Sequence, residues 1–149
     1  MKVVVQRVRE AQVSIDGHVH SKIFKGLLVL LGVGHGDASS KVEYLTDKLI
    51  KLRIFPDEAG KMNLNVTEAQ GDILVVSQFT LYGDTRKGNR PSFVNAAPPA
   101  LAEKLYEEFV STLSRKLQKE IPTGKFAADM QVSLINDGPV TIVIDTKDT

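Results

Sequence analysis

The run Gly26-Leu-Leu-Val-Leu-Leu-Gly-Val33 sets the tightest limit on the fold. A continuous apolar stretch of this length, bounded by glycine, reads as a strand buried on both faces. Such a strand needs neighbours on either side and a layer above and below, so the chain must wrap a sheet with other elements. Extended to Gly34, the run is still far short of the ~20 residues a spanning helix requires. Gln6, Arg7, Arg9 and Glu10 interrupt any signal-peptide core behind Lys2. The expectation is a soluble, cytoplasmic protein with no membrane association.

The rest of the chain supplies that wrapping. Met1 to Ile15 mixes valines with polar residues, as a half-exposed strand does. Asp16-Gly17 then marks a tight hairpin that returns through His18-Val-His20. A helix is expected next, opened by a Ser40/Glu43 capping box and carried by Val42, Leu45, Leu49 and Leu52, with Asp47 and Lys51 paired on its outer face. Asp57 to Asn65, around Gly60, reads as a loop or open hairpin. Gly71 to Tyr82 is the next strand, and Pro99 to about Gln118 a second helix on Leu101, Leu105, Phe109, Leu113 and Leu117. Its acids come early and its bases late, matching the helix dipole. Two strands close the chain, Phe126 to Ile135 and Val140 to Asp145, joined by a turn at Asn136-Asp-Gly-Pro139.

Strands cluster at both ends with two helices between them, and hairpins outnumber crossover units. These patterns predict a single α+β domain over residues 1–149, with a mostly antiparallel, curved or barrel-like sheet and both main helices packed outside it. A chain of 149 residues suits one domain. Cysteine is absent, which removes disulfides, thiol nucleophiles and sulfur-based zinc sites. Lys plus Arg (19) nearly balances Asp plus Glu (18), so any nucleic-acid contact must rest on a local basic patch.

Chemistry has few places to sit. In Ile73-Leu-Val-Val-Ser-Gln-Phe-Thr-Leu-Tyr82 each strand face begins apolar and turns polar at Ser77 and Gln78. A strand leaving the core, or polar groups satisfied by a neighbouring strand, is a commoner origin of that pattern than a site. The loop Gly83-Asp-Thr-Arg-Lys-Gly-Asn-Arg90 carries Arg86, Lys87 and Arg90, which can hold phosphate or simply face solvent. Asn136-Asp-Gly-Pro139 is, by itself, ordinary turn composition. His18 and His20 share a strand side but have no third ligand nearby in sequence, so no metal is expected. Gly32-Val-Gly-His-Gly-Asp37 lacks the third glycine of a dinucleotide loop and the GK[ST] of a P-loop. No GxSxG elbow is present either.

Taken together, Ser77-Gln-Phe-Thr-Leu81 and Asn136-Asp-Gly-Pro-Val-Thr141 resemble the two signature motifs of the D-aminoacyl-tRNA deacylases, formerly called D-tyrosyl-tRNA deacylases. The resemblance extends to the opening Met1-Lys-Val-Val-Val-Gln-Arg-Val8, to Val13-Ser-Ile-Asp-Gly17, to Leu52-Arg-Ile-Phe55 and to Asp84-Thr-Arg-Lys-Gly-Asn-Arg-Pro-Ser-Phe93. One departure is Ala127, where the family usually has glycine.

The resemblance implies a homodimer, without cofactor, that hydrolyses the ester between a D-amino acid or glycine and the 3′ adenosine of tRNA and spares L-aminoacyl-tRNA. It places the site at the dimer interface. Ser77, Gln78, Phe79 and Thr80 of one subunit would hold the adenosine and aminoacyl ends. Gly138-Pro139 of the other, a cis dipeptide from the turn that begins at Asn136, would reject L side chains, with Met130 nearby. Arg86, Lys87 and Arg90 are the candidate tRNA contacts, and Lys51 and Arg53 weaker ones. Two rivals remain at this point: a non-catalytic nucleic-acid-binding module and a detached synthetase editing domain.

Overall fold

A computed structural model describes residues 1–147. The apolar run forms β3 (Gly26–Gly32), and six of its seven residues are buried. On one side β3 pairs antiparallel with β1 (Lys2–Ile15), and on the other it pairs parallel with β6 (Asp72–Ser77). β2 (His18–Ile23) folds back on the second half of β1 through Asp16 and Gly17, both at positive φ as a two-residue hairpin of this twist requires. β7 (Gln131–Asp145) runs antiparallel along the opposite edge of β1. The result is a curled mixed sheet with three antiparallel pairings and one parallel. β4 (Phe55–Pro56) and β5 (Met62–Leu64) make the small hairpin anticipated around Gly60.

The two helices, α1 (Ser39–Lys51) and α2 (Pro99–Leu117), pack against one face of the sheet. Val42, Leu45 and Leu49 of α1 and Leu105, Phe109 and Leu113 of α2 cover Val3, Val5, Leu27, Val29, Leu31, Ile73 and Val75. The curl encloses a second, smaller cluster on the other face, with Val8, Ala11, Val13, Leu28, Leu74 and Val76. β3 contributes to both clusters, which is why its sequence is apolar without alternation. Among the described residues, no helix is long and apolar enough to cross a membrane.

Three local expectations change. The capping box at α1 does not form: the helix begins after Ala38 without a side-chain cap, and the Glu43 carboxylate instead meets Lys116 and Arg115 of α2, at 2.7 and 3.1 Å. The strand expected to reach Tyr82 stops at Ser77, because its partner β3 ends at Gly32 and the ladder runs out. Phe79–Tyr82 coils into a single 3₁₀ turn, so the period-2 faces drawn through Gln78, Thr80 and Tyr82 do not exist. The two terminal strands are one strand. Both halves of β7 pair with β1, and Asp137 to Val140 loop out between the pairs Gln6–Thr141 and Val8–Asn136. The segment from Phe126 to Met130 is a turn leading into β7.

Candidate active site

β6 delivers the first signature to the edge of the sheet. The Gln78 amide donates the last sheet bond to Leu31 C=O, at 2.8 Å, and the chain then turns. Leu81 N–H returns to Gln78 C=O and Gly83 N–H to Thr80 C=O, closing the 3₁₀ turn. The first amides of such a turn have no intrahelical acceptor. Among the described residues, those of Phe79 and Thr80 have no acceptor at all. Ser77 and Gln78 are half-buried, while Phe79 and Thr80 are exposed. The Phe79 ring stands edge-on to Phe93, with centroids 5.1 Å apart.

The Gln78 side-chain amide donates to Thr80 Oγ1. No imidazole, carboxylate or amine contacts that hydroxyl among the described residues. A threonine without a base is a weak nucleophile.

The basic loop follows directly. Asp84 and Ser92 exchange backbone hydrogen bonds, so residues 84–92 form a narrow hairpin beside Phe79. Arg86 is engaged by Asp84 through its Nε and Nη2, the shortest contact being 2.6 Å. Those hydrogen bonds hold the Asp84 carboxyl down at about 2. Lys87 and Arg90 lie on the same hairpin, exposed and without ion pairs among the described residues. The Tyr82 phenol is pushed above its usual range, first by burial and then by the Asp37 and Asp145 carboxylates, so it stays protonated.

The second signature is built elsewhere. Asn136 Nδ2 donates to the carbonyls of Arg7 and Val140, both at 3.0 Å, and so pinches the neck of the looped-out segment. The Gly138-Pro139 peptide is cis, and both residues are exposed. Beneath them lies Arg7, only 8% exposed. Its Nη1 donates to Ile54 C=O at 2.5 Å and its Nε to Asp137 C=O at 3.2 Å, and it also pairs with the Asp137 carboxylate. Arg9 meets the same carboxylate at 3.2 Å. Gly138 is at φ +118, and a methyl group there would stand 2.6 Å from Arg7 Nη2.

Sequence reasoning passed over Arg7. The signal was present: Val3, Val5 and position 7 share the inward register of β1, and a guanidinium at an inward position needs buried acceptors. Met130 belongs with the first signature. It packs with Val76, its sulfur accepts the Lys125 amide at 3.3 Å, and Gly124 leaves room for it.

Within one chain the two signatures do not meet. Across the sheet Ser77 is level with Leu31, Val3 and Ile144, whereas Gly138 loops out level with Arg7, Leu27 and Ile73. That is three strand spacings sideways and four residues lengthwise, roughly 19 Å over the sheet surface. A groove of about 630 Å³ between α2 and residues 120–126 contains none of the predicted site residues. His18 and His20 lie exposed on β2, Lys51 is exposed at the end of α1, and Arg53 is tied to Asn63 C=O at 2.8 Å. The described residues hold no group of three potential metal ligands.

A family model described as D-Tyr-tRNA(Tyr) deacylase matches residues 4–145. The chain belongs to that family. The D-aminoacyl-tRNA deacylase of Desulfatibacillum aliphaticivorans is 59% identical over 147 residues, covering 99% of this chain and 100% of that protein. Its counterpart in Thermosipho africanus is 54% identical, covering 99% and 98%. Among solved structures, the c-Myc DNA Unwinding Element Binding Protein is 43% identical with a TM-score of 0.93, covering 98% of this chain and 99% of that one. A probable eukaryotic D-amino acid tRNA deacylase reaches a TM-score of 0.83 at 14% identity, covering 96% and 97%, and so shares the fold. The family's enzymes are hydrolases acting on aminoacyl-tRNA, and this chain carries both of the motifs that first suggested them.

Proposed function

We propose that this protein is a freestanding proofreading enzyme that removes D-amino acids, and glycine, from tRNA, and that its working site is shared between two copies of the chain. The observation that carries the reading is the separation of the two signatures. Each is built with care, one with free amides and the other with a buried arginine beneath it, yet a single chain holds them roughly 19 Å apart over the sheet. A second copy that brings its Gly138-Pro139 to the Phe79–Thr80 turn makes one site from two half-sites. A two-fold arrangement makes two such sites per dimer.

An aminoacyl ester is already an activated acyl group with a vicinal ribose hydroxyl, so positioning and oxyanion stabilisation supply much of the acceleration. The amides of Phe79 and Thr80 receive the developing oxyanion. The tRNA's 2′ hydroxyl orients or activates the attacking water. Thr80, bonded to Gln78 and lacking a base, helps shape the turn. The partner's Gly138-Pro139 backbone faces the substrate Cα and collides with an L side chain, while a D side chain or a hydrogen passes. Ser77, Gln78 and Met130 line the substrate side, and Asn136 holds the rejecting loop. Lys87 and Arg90 contact tRNA phosphates, with Arg86 fixing the loop that presents them.

The test is deacylation of matched D-Tyr-tRNA, L-Tyr-tRNA and Gly-tRNA in chelator. The D and glycyl esters are lost and the L ester survives. With Thr80→Ala the rate falls no more than about tenfold, the scale of a lost hydrogen bond between neutral groups. Full loss with Thr80→Ala, together with retained cleavage of 2′-deoxy-terminated tRNA, would assign the attack to Thr80.

A second reading is non-catalytic nucleic-acid binding, favoured by the likeness to a protein described as binding a DNA unwinding element. It predicts affinity for tRNA or DNA ends with every ester intact.

A further inference from the structure

The turn that presents the Phe79 and Thr80 amides is only four residues long, and isolated turns of that length do not hold themselves in place. At its N-terminal side the Gln78–Leu31 sheet bond fixes it. At its C-terminal side is Tyr82, 5% exposed, whose neighbour sequence Gly83-Asp84 begins the basic hairpin. The Tyr82 ring lies over the end of β3 in a slot that exists because Gly32 and Gly34 have no side chains. A methyl group on Gly34 would stand 2.6 Å from both Cζ and Oη of the ring, and one on Gly32 would stand 3.3 Å from Cδ2. Lys2 Nζ covers the ring at 5.0 Å from its centroid. The phenol donates to Asp37 Oδ2 at 3.4 Å, an oxygen that also accepts the Gly34 amide at 2.7 Å. The other Asp37 oxygen takes the Met1 ammonium at 2.6 Å.

We infer that Tyr82 is a positioning residue, and that the Gly32/Gly34 slot locks its ring so that the Phe79–Tyr82 turn holds its two free amides at a fixed place and angle. A ring laid along the backbone of Gly32 and Gly34 and covered by Lys2 cannot change rotamer without displacing the end of β3 or the Lys2 side chain. The residue is therefore a rigid peg one turn away from the reacting ester. Oxyanion donors work by being fixed before the charge develops, so a donor pair that drifts by a fraction of an ångström loses rate while substrate affinity persists. None of the groups that hold the ring here (Gly32, Gly34, Lys2 and Asp37) is among the proposed substrate contacts. This inference rests on the proposed role of the Phe79 and Thr80 amides, and its test separates the two.

Gly34→Ala drives the ring from its slot while leaving every proposed substrate contact intact. The expected result is a single-turnover rate on D-Tyr-tRNA at least tenfold lower, KM within threefold of wild type, and amide exchange at Leu81 and Gly83 at least tenfold faster. Tyr82→Leu introduced into Gly34→Ala removes the collision and recovers at least threefold of the lost rate. Tyr82→Ala, which empties the slot without crowding it, reproduces the loss should Gly34→Ala fold poorly, and Tyr82→Phe, which keeps the ring, retains most of the rate. Unchanged exchange at Leu81 and Gly83 in both Gly34→Ala and Tyr82→Ala overturns the inference. So does faster exchange with an unaltered rate. If the wild-type protein spares D-Tyr-tRNA, the deacylase reading falls, while exchange still decides whether Tyr82 holds the turn.

Discussion

Arg7 shows how much one side chain can decide. Its guanidinium bridges the carbonyls of Ile54 and Asp137 and so joins β1, the β4–β5 hairpin and the Gly138-Pro139 loop. Removing one partner of a buried ion pair leaves desolvated acceptors behind, which costs about 3–5 kcal/mol in a fully buried case. Asp137 keeps Arg9 and some solvent, so Arg7→Met is expected to cost about 2–4 kcal/mol in urea unfolding. At permissive temperature the same variant is expected to deacylate L-Tyr-tRNA as well, because the loop proposed to reject it has lost its support.

Ala127 carries a smaller effect. It sits at φ +60, in the left-handed region where Cβ crowds the following carbonyl and costs roughly 1–2 kcal/mol. Ala127→Gly relieves that crowding but loosens the unfolded chain, which gives back about 0.4–1 kcal/mol. The net expectation is a variant more stable by up to about 1.5 kcal/mol, read as a higher urea midpoint at constant m-value.

Among the elements, the α1–α2 contact shows why local cues can mislead. Glu43 reads from sequence as the far member of a capping box, yet Lys116 reaches it from α2 and takes Asp47 as well, at 2.8 Å. Asp47 still contacts Lys51, as anticipated, but at 3.9 Å. The hydrogen bonds and charge of Lys116 hold both carboxyls below their usual range. Burial opposes the Lys116 charge, but the Asp47 and Glu43 contacts outweigh it and raise the amine. Depressed carboxyls stabilise the fold above the ordinary carboxylate range and lose that contribution as pH falls through their lowered values. A raised amine stabilises below its ordinary value and is lost as pH climbs past the raised one. The cluster therefore works between about pH 5 and 10, the span set by the ordinary carboxylate and lysine ranges. Thermal melts from pH 6 to 3 should show a smaller acid-induced drop in Tm for Lys116→Met than for wild type. Equal drops would mean that other carboxylates dominate.

The whole molecule has an unfinished surface. β7 packs its Val132, Leu134, Val140, Ile142 and Ile144 only partly into the two clusters and exposes Ile135 and Val143 at 51% and 68%. Its far edge has no strand partner among the described residues. A fifteen-residue edge with exposed branched side chains is the surface soluble proteins cover. The proposed dimer covers it, and sedimentation should find two copies, with activity per chain falling on dilution through the dissociation range.

Binding by such a dimer is also set at this scale. With near-zero net charge, tRNA affinity falls to a few local cations. Neutralising Lys87 and Arg90 together should flatten the salt slope of tRNA binding by about 1.5, one phosphate contact each, and leave the D/L ratio unchanged. A changed ratio would place these residues against the aminoacyl group.

The sequence alone was enough to reveal whatever depends on near neighbours and on period. The twice-buried β3, the Asp16-Gly17 hairpin, both helices and the apolar faces that became the core follow from side-chain spacing and turn chemistry. The paired signatures were legible for the same reason, as short contiguous strings. The remaining features depend on residues far apart in the chain. β6 stops at Ser77 because β3 has ended beside it. β7 stays one strand because β1 offers it an unbroken edge. Glu43 leaves its cap because Lys116 is within reach, and Tyr82 finds its slot because Gly32 and Gly34, at and just beyond the end of β3, leave it open. Above all, the distance between the signatures is a property of sheet order, which no local pattern encodes, and the proposed second copy of the chain is argued from that distance.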